Sequence, residues 1–449
     1  MRSDREIQIL RLAGAADGRG TRLGPCTAIL KVSPDAFPGV ELLAIGNDDI
    51  VRSHPAVSGP SSVEIDASGC VAIPGLVNAH THLDLTHIGA QAYRPEHTFI
   101  DWVDMIRERR ETTPDAIRAS VRAGIDKSIR GGVVAVGDVA GVFGLEPLRE
   151  LVSSPMAGKV GIELFGIGKR QKSILERMAD LAAAASELTR NSSRVDWTWQ
   201  PHAPYSVGTS IYRRCARECS DRGVPMMTHL AETTQEAEFV AHGTGAQVEL
   251  LRRLDAWDET CIESVGRGET PVEYLSPILA ESHSIVAHVN YASDEDIGRL
   301  IDAGASVAYC PRASQYFRQE QAFGRHRYRE LLEAGVSVAL GTDSIVNLPE
   351  EDSDRLSTLD DARLLVRRDG LSPEVALSMA TWRGADALGL DPDCYSLAPS
   401  RLPRRLAGLG LVDVSGLAPD QPADARVMAS ERPSQLVRPT HMPAKNSAS

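Results

Sequence analysis

The stretch Pro74-Gly75-Leu76-Val77-Asn78-Ala79-His80-Thr81-His82 follows a short apolar run and ends in two histidines. We predict a strand over that run, Val71–Ile73, because β-branched residues there lead into a Pro-Gly pair. Side chains two positions apart on extended backbone point to the same face, so the imidazoles of His80 and His82 can reach one metal ion. The stretch therefore predicts a strand that ends in a metal site.

Seven further runs rich in β-branched residues follow, and amphipathic helical patterns separate them. They are Gly131–Val139, Val160–Ile167, Arg194–Trp199, Val224–Thr228, Ser284–Val289, Ser306–Cys310 and Ser337–Leu340. Eight parallel strands alternating with helices over residues 71–390 predict an α/β fold, a (β/α)₈ TIM barrel. The barrel is longer than a minimal one, and the surplus in Gly89–Thr113 and Gly243–Glu281 is interpreted as active-site loops.

The flanks of the barrel have a different character. Residues 1–70 carry short strand-like runs between Gly, Pro, Asp and Ser, which predicts the N-terminal part of a small β-sandwich domain. Residues 391–431 are expected to return to that domain in reduced form. Residues 432–449, rich in Pro, Ser and basic side chains, are expected to form a disordered tail.

Charge and composition exclude several classes of function. The 449 residues carry 48 Lys and Arg against 61 Asp and Glu, a net charge of −13, which disfavours nucleic acid as a partner. No apolar stretch approaches the length of about 18 residues that a transmembrane helix needs. Seven cysteines without a C-x-x-C pattern suggest no disulfide framework, and we expect a reducing, cytoplasmic setting.

The placement of His80 and His82 recurs at other strand ends. His202 follows the fourth predicted strand, and the fifth, sixth and eighth end at His229, His288 and Asp343. Any one of these histidines could be an ordinary core or surface residue. Together they mark the C-terminal rim of the barrel, where active sites of this fold are built.

Several motifs in this order resemble the amidohydrolase superfamily, in particular its cytosine-deaminase-like branch. That branch contains the adenosylhomocysteine, aminofutalosine and guanine deaminases and the triazine chlorohydrolases. The matching stretches are PGLVNAHTHL (74–83), HAPYSV (202–207), HLAET (229–233), His288, CPRAS (310–314) and GTDS (341–344).

The resemblance implies one divalent metal ion, Zn²⁺ foremost and Fe²⁺ as the alternative, since this donor set suits both. Its ligands would be His80, His82, His229 and Asp343. A two-metal centre would normally need a Lys at the end of the fourth strand, where this chain has Gln200-Pro201-His202. Lys169 lies one strand out of place, so we expect a single metal.

The resemblance also implies catalytic and substrate-binding roles. Asp343 would take a proton from the attacking water, His288 would orient that water, and Glu232 would carry a proton to a ring nitrogen. The other interpretation of Glu232 is a carboxylate that favours a helix N-terminus. His202, Glu232 and Trp102 would contact the substrate, and for Trp102 a core position is an equal alternative.

The function implied is hydrolytic deamination of an amino-substituted heterocycle, foremost a 6-aminopurine nucleoside derivative of the aminofutalosine or adenosylhomocysteine kind. The partner would be this small molecule, with neither nucleic acid nor membrane involved. Homo-oligomers are common in the family, although no residue demonstrates one here. The alternatives are a triazine-type chlorohydrolase or aminohydrolase, a cyclic-amide hydrolase and, last, a catalytically inactive scaffold barrel.

Overall fold

The computed structural model describes residues 6–59, 62–94, 98–141, 144–263 and 265–440. Within these ranges the chain forms a (β/α)₈ barrel and a small β domain, which confirms the predicted fold class. The strands are β1 (Glu6–Ala16), β2 (Arg22–Leu23), β3 (Cys26–Val32), β4 (Val40–Gly46), β5 (Ser62–Pro74), β6 (Leu76–Thr81), β7 (Val133–Ala140), β8 (Ala157–Leu164), β9 (Val195–Pro201), β10 (Met226–Leu230), β11 (Ser284–His288), β12 (Ser306–Tyr309), β13 (Val338–Leu340), β14 (Arg404–Leu406), β15 (Leu409–Asp413) and β16 (Ser434–Leu436).

Helices surround the barrel and also occupy its longer loops. They are α1 (Asp48–Val51), α2 (Phe99–Arg109), α3 (Pro114–Arg130), α4 (Glu146–Ser153), α5 (Gln171–Thr189), α6 (Thr209–Arg222), α7 (Thr234–His242), α8 (Ala246–Arg253), α9 (Pro271–Leu279), α10 (Asp294–Asp302), α11 (Pro311–Tyr316), α12 (Gln319–Phe323), α13 (Tyr328–Glu333), α14 (Thr358–Asp369), α15 (Pro373–Met379), α16 (Trp382–Ala387) and α17 (Ala423–Ala429). No helix of the described ranges is long and apolar enough to cross a bilayer.

The barrel closes from two parallel four-stranded sheets. One sheet runs β6-β7-β8-β9 and the other β10-β11-β12-β13. The His229 N–H donates to the His202 carbonyl at 2.9 Å and joins β9 to β10. A parallel bridge between Thr81 and Asp343 joins β13 to β6. Because all eight strands run the same way, their C-terminal ends meet at one mouth.

The β domain takes strands from both ends of the chain. Its sheet has the order β14-β4-β3-β1-β5-β15-β16, and β2 pairs with β1. A core that includes Leu10, Leu30 and Leu42 lies within it, together with Leu406 from the C-terminal flank.

The assignment of Val71–Ile73 to the barrel is wrong. These residues belong to β5 of the β domain, where Val71 pairs with Val412 and Ile73 with Gly410. The chain passes between domains at Gly75, where a Cβ would lie 2.6 Å from a Val134 methyl carbon. The first barrel strand therefore begins at Leu76. The sequence predicts a single strand here, whereas the Pro-Gly pair separates two strands that belong to different sheets.

The expected disordered tail from Arg432 is also wrong over its described part. Ser434–Leu436 is strand β16, antiparallel to β15, with Leu436 opposite Gly410. Leu436 is buried, so this segment is fixed by packing that its Pro-rich composition did not indicate. Residues 441–449 of the predicted tail lie outside the described residues.

Candidate active site

The predicted metal ligands converge at the C-terminal mouth of the barrel. The Nε2 atoms of His82 and His229 lie 3.3 Å apart. Asp343 Oδ1 lies 3.4 Å from His82 Nε2 and 3.7 Å from His80 Nε2. The four side chains come from the ends of β6, β10 and β13, so donor atoms that are up to 263 positions apart in the chain face one point.

Neighbouring groups fix the orientation of these ligands. His229 Nδ1 donates to the His202 carbonyl at 2.9 Å, which leaves Nε2 to face the cluster. The Asn347 side-chain amide donates to Asp343 Oδ2, which leaves Oδ1 for the same point. The sequence indicated neither the Asn347 contact nor the use of the His202 carbonyl.

The donor set fits a divalent cation. Burial lowers the pKa of His80 and of His229 to about 3, so both rings are neutral ligands at physiological pH. Among the described residues, His80 Nε2 is buried without a hydrogen-bond partner. Buried polar atoms are normally paired, and a metal would complete this cluster of imidazole nitrogens and one carboxylate oxygen.

The backbone is strained at the same mouth. Ala231, His288, Val289 and Asp343 all have φ between 49° and 74°, a region that non-glycine residues seldom adopt. Each such residue costs about 1–3 kcal/mol, and such strain clusters at functional sites. The strain here turns side chains at the ends of β10, β11 and β13 toward the cluster.

Glu232 lies beside the cluster and not in the first turn of a helix. Its Oε1 is 3.7 Å from His288 Nε2. Helix α7 begins two residues later, with Thr233 as its N-cap. Burial, followed by the charges of Asp343 and Glu236, raises the pKa of Glu232 well above its usual range. Glu232 therefore lies both directly before the N-cap of α7 and beside the cluster, and its position agrees with either interpretation.

Glu236, in the first turn of α7, binds the backbone segment that carries Glu232. Its carboxylate accepts hydrogen bonds from the N–H groups of Ala231 at 2.9 Å and Glu232 at 2.7 Å. The Asn290 side-chain amide also donates to the Glu232 carbonyl at 2.9 Å. These contacts hold the backbone of Glu232 in place. The i, i+4 spacing of the two glutamates was the signal available in the sequence for this positioning role.

A cavity of about 380 Å³ opens onto the cluster, a size typical of small-molecule sites. Its wall includes the predicted substrate contacts His202, Glu232 and Trp102. Both surplus segments of the barrel contribute, Gly89–Thr113 through α2 and Gly243–Glu281 through α8 and the residues after it. His202 stacks on Phe165 with ring centroids 4.4 Å apart.

A charge cluster that the sequence did not reveal contributes Arg110 and Glu163 to the wall of this cavity. The Arg110 guanidinium lies 3.4 Å from Asp84 Oδ2 and 3.9 Å from Glu163 Oε2. Gly141 makes room for it, since a Cβ there would lie 2.5 Å from an Arg110 nitrogen. The three charged residues come from separate loops and strands, which explains why no linear motif marks them.

A second metal site is disfavoured by the geometry. Glu163, His202 and His229 bring one potential ligand atom each within 4.8 Å of the others. His229 Nδ1 is already bonded to the His202 carbonyl, so this ring has only Nε2 for a metal. Lys169 pairs with Asp255 at 2.6 Å on the surface and does not line the cavity.

The chain belongs to the amidohydrolase family, whose model matches residues 71–402. This confirms the resemblance seen in the motifs. Among similar proteins is a 5-methylthioadenosine/S-adenosylhomocysteine deaminase of Moorella thermoacetica, 28% identical over 427 residues, which are 92% of this chain and 90% of that protein. The Halobacterium salinarum protein of the same name is 28% identical over 73% of this chain and 70% of its own length.

Solved structures share the whole fold at lower identity. Helicobacter pylori aminofutalosine deaminase superimposes with a TM-score of 0.73 at 19% identity, covering 97% of this chain and 98% of that one. Atrazine chlorohydrolase from Arthrobacter aurescens, complexed with zinc, gives a TM-score of 0.72 at 21% identity, covering 96% and 94%. At these identities the likeness establishes the fold alone.

Proposed function

We propose that this protein is a metal-dependent hydrolytic deaminase of an amino-substituted heterocycle, foremost a 6-aminopurine nucleoside derivative. The observation that carries the proposal is the position of the Glu232 carboxyl group beside the His-Asp cluster in the wall of the cavity. The names of the similar curated proteins support the nucleoside class.

The residues that would hold the metal are His80, His82, His229 and Asp343, and Zn²⁺ is the ion we propose. When bound, such an ion lowers the pKa of a water molecule to about 7 and so supplies the nucleophile. The atrazine chlorohydrolase structure of this fold is complexed with zinc. The donor set also accepts Fe²⁺, so metal analysis decides between the two ions.

The side chains of this protein would divide the proton transfers between them. Asp343 accepts the proton of the attacking water, because its Oδ1 faces the cluster while Asn347 holds Oδ2. Its burial raises its pKa, which makes the carboxylate a stronger base. His288 is neutral because burial lowers its pKa, and it orients the water through Nε2.

Glu232 would activate the heterocycle. Burial raises the pKa of the Glu232 carboxyl group, which favours its protonated form. Donation of that proton to a ring nitrogen makes the adjacent amino-bearing carbon electrophilic. Water adds to this carbon as Asp343 takes its proton, and Asp343 then gives that proton to the amino group. The C–N bond breaks, ammonia leaves, and the proton of the added hydroxyl returns to Glu232 as the carbonyl forms.

All seven cysteines are unpaired, including Cys215 and Cys219 one turn apart on α6. Free buried thiols suit a reducing compartment. We therefore propose a cytoplasmic setting.

The test is ammonia release by the purified protein with metal content measured on the same sample. The panel contains 5′-methylthioadenosine, adenosylhomocysteine, aminofutalosine, adenosine, guanine, cytosine and melamine, each with and without a chelator. Chelator-sensitive release from a purine nucleoside is expected. Bound metal with no turnover on the panel would refute the deaminase proposal, and chloride release from a chlorotriazine would then identify the alternative.

A further inference from the structure

His326 joins the loop after β12 to the end of β11. It lies between α12 and α13, 38 positions after His288 in the chain, and its Nε2 donates to the His288 carbonyl at 2.9 Å. Arg327, the next residue, donates to the Ala292 carbonyl at 3.2 Å and so contacts the segment that follows β11. The loop that carries His326 therefore packs against the backbone of the residue that orients water in the proposed reaction.

His288 is the central residue of a strained turn. Its φ is 74°, and the Val289 N–H donates to the Ala287 carbonyl at 3.2 Å, two residues back in the chain. A positive φ combined with this i→i+2 hydrogen bond is typical of the rare form of the γ-turn, which is strained for a residue other than glycine. Val289 follows with a φ of 49°. Such a backbone persists only where neighbouring contacts hold it.

Two hydrogen bonds hold the peptide group between His288 and Val289 from opposite sides. The Val289 N–H donates to the Leu230 carbonyl at 2.9 Å, and the His288 carbonyl accepts from His326. The first contact joins backbone atoms of β10 and β11, so it does not depend on side-chain identity. The second contact depends on one side chain. His326 therefore fixes the orientation of this peptide group and, with it, the direction in which the His288 side chain leaves the backbone.

Packing alone does not explain a histidine at position 326. The side chain is 6% exposed and stacks on Tyr309 with ring centroids 3.7 Å apart. Burial lowers the pKa of His326 to about 4, so the ring is neutral and its one N–H lies at Nε2, since a carbonyl only accepts. Nδ1 has no hydrogen-bond partner among the described residues. A phenyl ring would fill the same space without burying two nitrogens, so the Nε2–H contact is what the histidine adds.

We propose that His326 is a positioning residue, which fixes the backbone of His288 and thereby orients the His288 imidazole toward the reacting water. The inference rests on the proposed deaminase function and adds a residue on which that function depends. The His288 ring lies 5.3 Å from the His80 ring and 5.5 Å from the His229 ring, so it faces the candidate metal ligands. A displacement of about 1 Å at such a site can reduce the rate about 10²-fold.

The experiment compares two substitutions of His326. His326→Phe keeps an aromatic ring without an N–H, whereas the amide of His326→Gln can donate to the same carbonyl. In His326→Phe we expect kcat to fall about 10- to 100-fold, with KM within about threefold of wild type and metal content unchanged. In His326→Gln we expect kcat to return to within about threefold of wild type.

His283→Phe is the matched control for these variants. This histidine directly precedes β11 at the end of the strand away from the mouth, and its Nε2 contacts Ser306 Oγ at 3.3 Å. We expect its kcat to equal that of wild type. Wild-type kcat in His326→Phe, or an equal loss in His326→Phe and His326→Gln, would overturn the inference.

A double-mutant cycle distinguishes positioning from a general loss of structure. His288→Asn removes the imidazole, and asparagine tolerates a positive φ. If His326 acts through the His288 imidazole, adding His326→Phe to His288→Asn should change kcat by less than about twofold. The same 10- to 100-fold loss, about as large as in the wild-type background, would show that His326 acts by another route and would overturn the inference.

Crystal structures of the variants separate this inference from the proposed function. If the wild type releases no ammonia from any compound, the deaminase proposal fails, and the geometry of His288 still tests the positioning role. In His326→Phe the His288 carbonyl should rotate and its φ should leave the left-handed region, whereas His326→Gln should keep both. An unchanged His288 backbone and ring in His326→Phe would overturn the inference. If His326→Phe does not fold, His326→Asn replaces it, because its amide is one methylene shorter than that of Gln and does not reach the carbonyl.

Discussion

Two buried carboxylates, Asp17 in the β domain and Asp343 at the barrel mouth, have opposite surroundings. Asp17 accepts hydrogen bonds from the N–H groups of Arg19, Thr21 and Leu397 and from the Ser396 hydroxyl, at 2.8 to 3.1 Å. Asp343 accepts one from Asn347, and its other oxygen faces neutral imidazole nitrogens. The hydrogen bonds of Asp17 are satisfied within the protein, whereas Asp343 belongs to a cluster of donor atoms that could hold a metal ion.

The backbone shows the same difference between these regions. The mouth holds four strained non-glycine residues at the ends of β10, β11 and β13. Asp17 instead joins the chain's N-terminal flank to its C-terminal flank through ordinary hydrogen bonds. We conclude that satisfied hydrogen bonds stabilise the β domain, whereas the backbone at the barrel mouth is strained in order to orient side chains. Substitutions in the two regions test that conclusion.

His229→Ala should abolish metal binding and reduce kcat by at least about 10³-fold. The other catalytic groups act together with the metal, so its loss removes their contributions as well. Metal analysis and ammonia release measure both effects. The control is His242→Ala, an exposed position on α7. Retained turnover in His229→Ala would contradict the metal assignment. Retained binding to a partner with no activity in either protein would favour an inactive scaffold.

Glu232→Gln should reduce kcat by about 10²–10⁴-fold, the range for loss of a general acid, and leave metal content unchanged. The amide keeps the shape of the side chain but cannot deliver the proton. Glu238→Gln, at an exposed position on α7, serves as the control. A kcat equal to wild type with the variant fully metallated would rule out this role for Glu232.

Asp17→Ala should lower the free energy of unfolding by about 3 kcal/mol, since it removes the acceptor for four donors, three of them backbone N–H groups. Urea unfolding measures the change, with exposed Asp35→Ala as the reference. The folded variant should keep kcat within about twofold. Lost activity without lost stability would show that the two regions are not separate in function.

Asp138→Asn tests a buried carboxyl group near the C-terminal end of β7. Burial, and then the charge of Asp84, raises the pKa of Asp138 to about 8 in the folded protein. The unfolded value is about 3.9. Between these two pKa values the folded state holds a proton that the unfolded state has lost. Asp138 therefore lowers the free energy of unfolding progressively as the pH rises from about 4 to about 8.

Asp138→Asn avoids this loss of stability, because an amide does not titrate. Its amide oxygen can still accept the Leu83 N–H, which Asp138 accepts at 2.9 Å. Its stability relative to wild type should rise by at least about 1 kcal/mol between pH 5 and pH 8. Urea unfolding at both pH values provides the measurement. A difference that is independent of pH would contradict the buried titration.

Much of the fold could be predicted because the strands of a parallel barrel are buried and rich in β-branched residues. Seven of the eight predicted runs overlap β7 to β13 with shifts of a few residues at their ends. The first run failed because the apolar end of β5 directly precedes the apolar start of β6, and only their partners distinguish the two strands. Val71 pairs with Val412 in the β domain, whereas Leu76 pairs with Val133 in the barrel.

The residues of the candidate site divide in the same way, into those that local motifs indicate and those that folding brings together. The metal-ligand candidates and Glu232 could be found in the sequence, because a metal centre needs particular atoms at the ends of particular strands, and that need leaves local motifs such as H-x-H and H-x-x-E. The Arg110 cluster and the positioning by Glu236 and Asn347 became visible in the folded chain alone. These depend on loops from different strands meeting in space, and no periodicity along the chain records such a meeting.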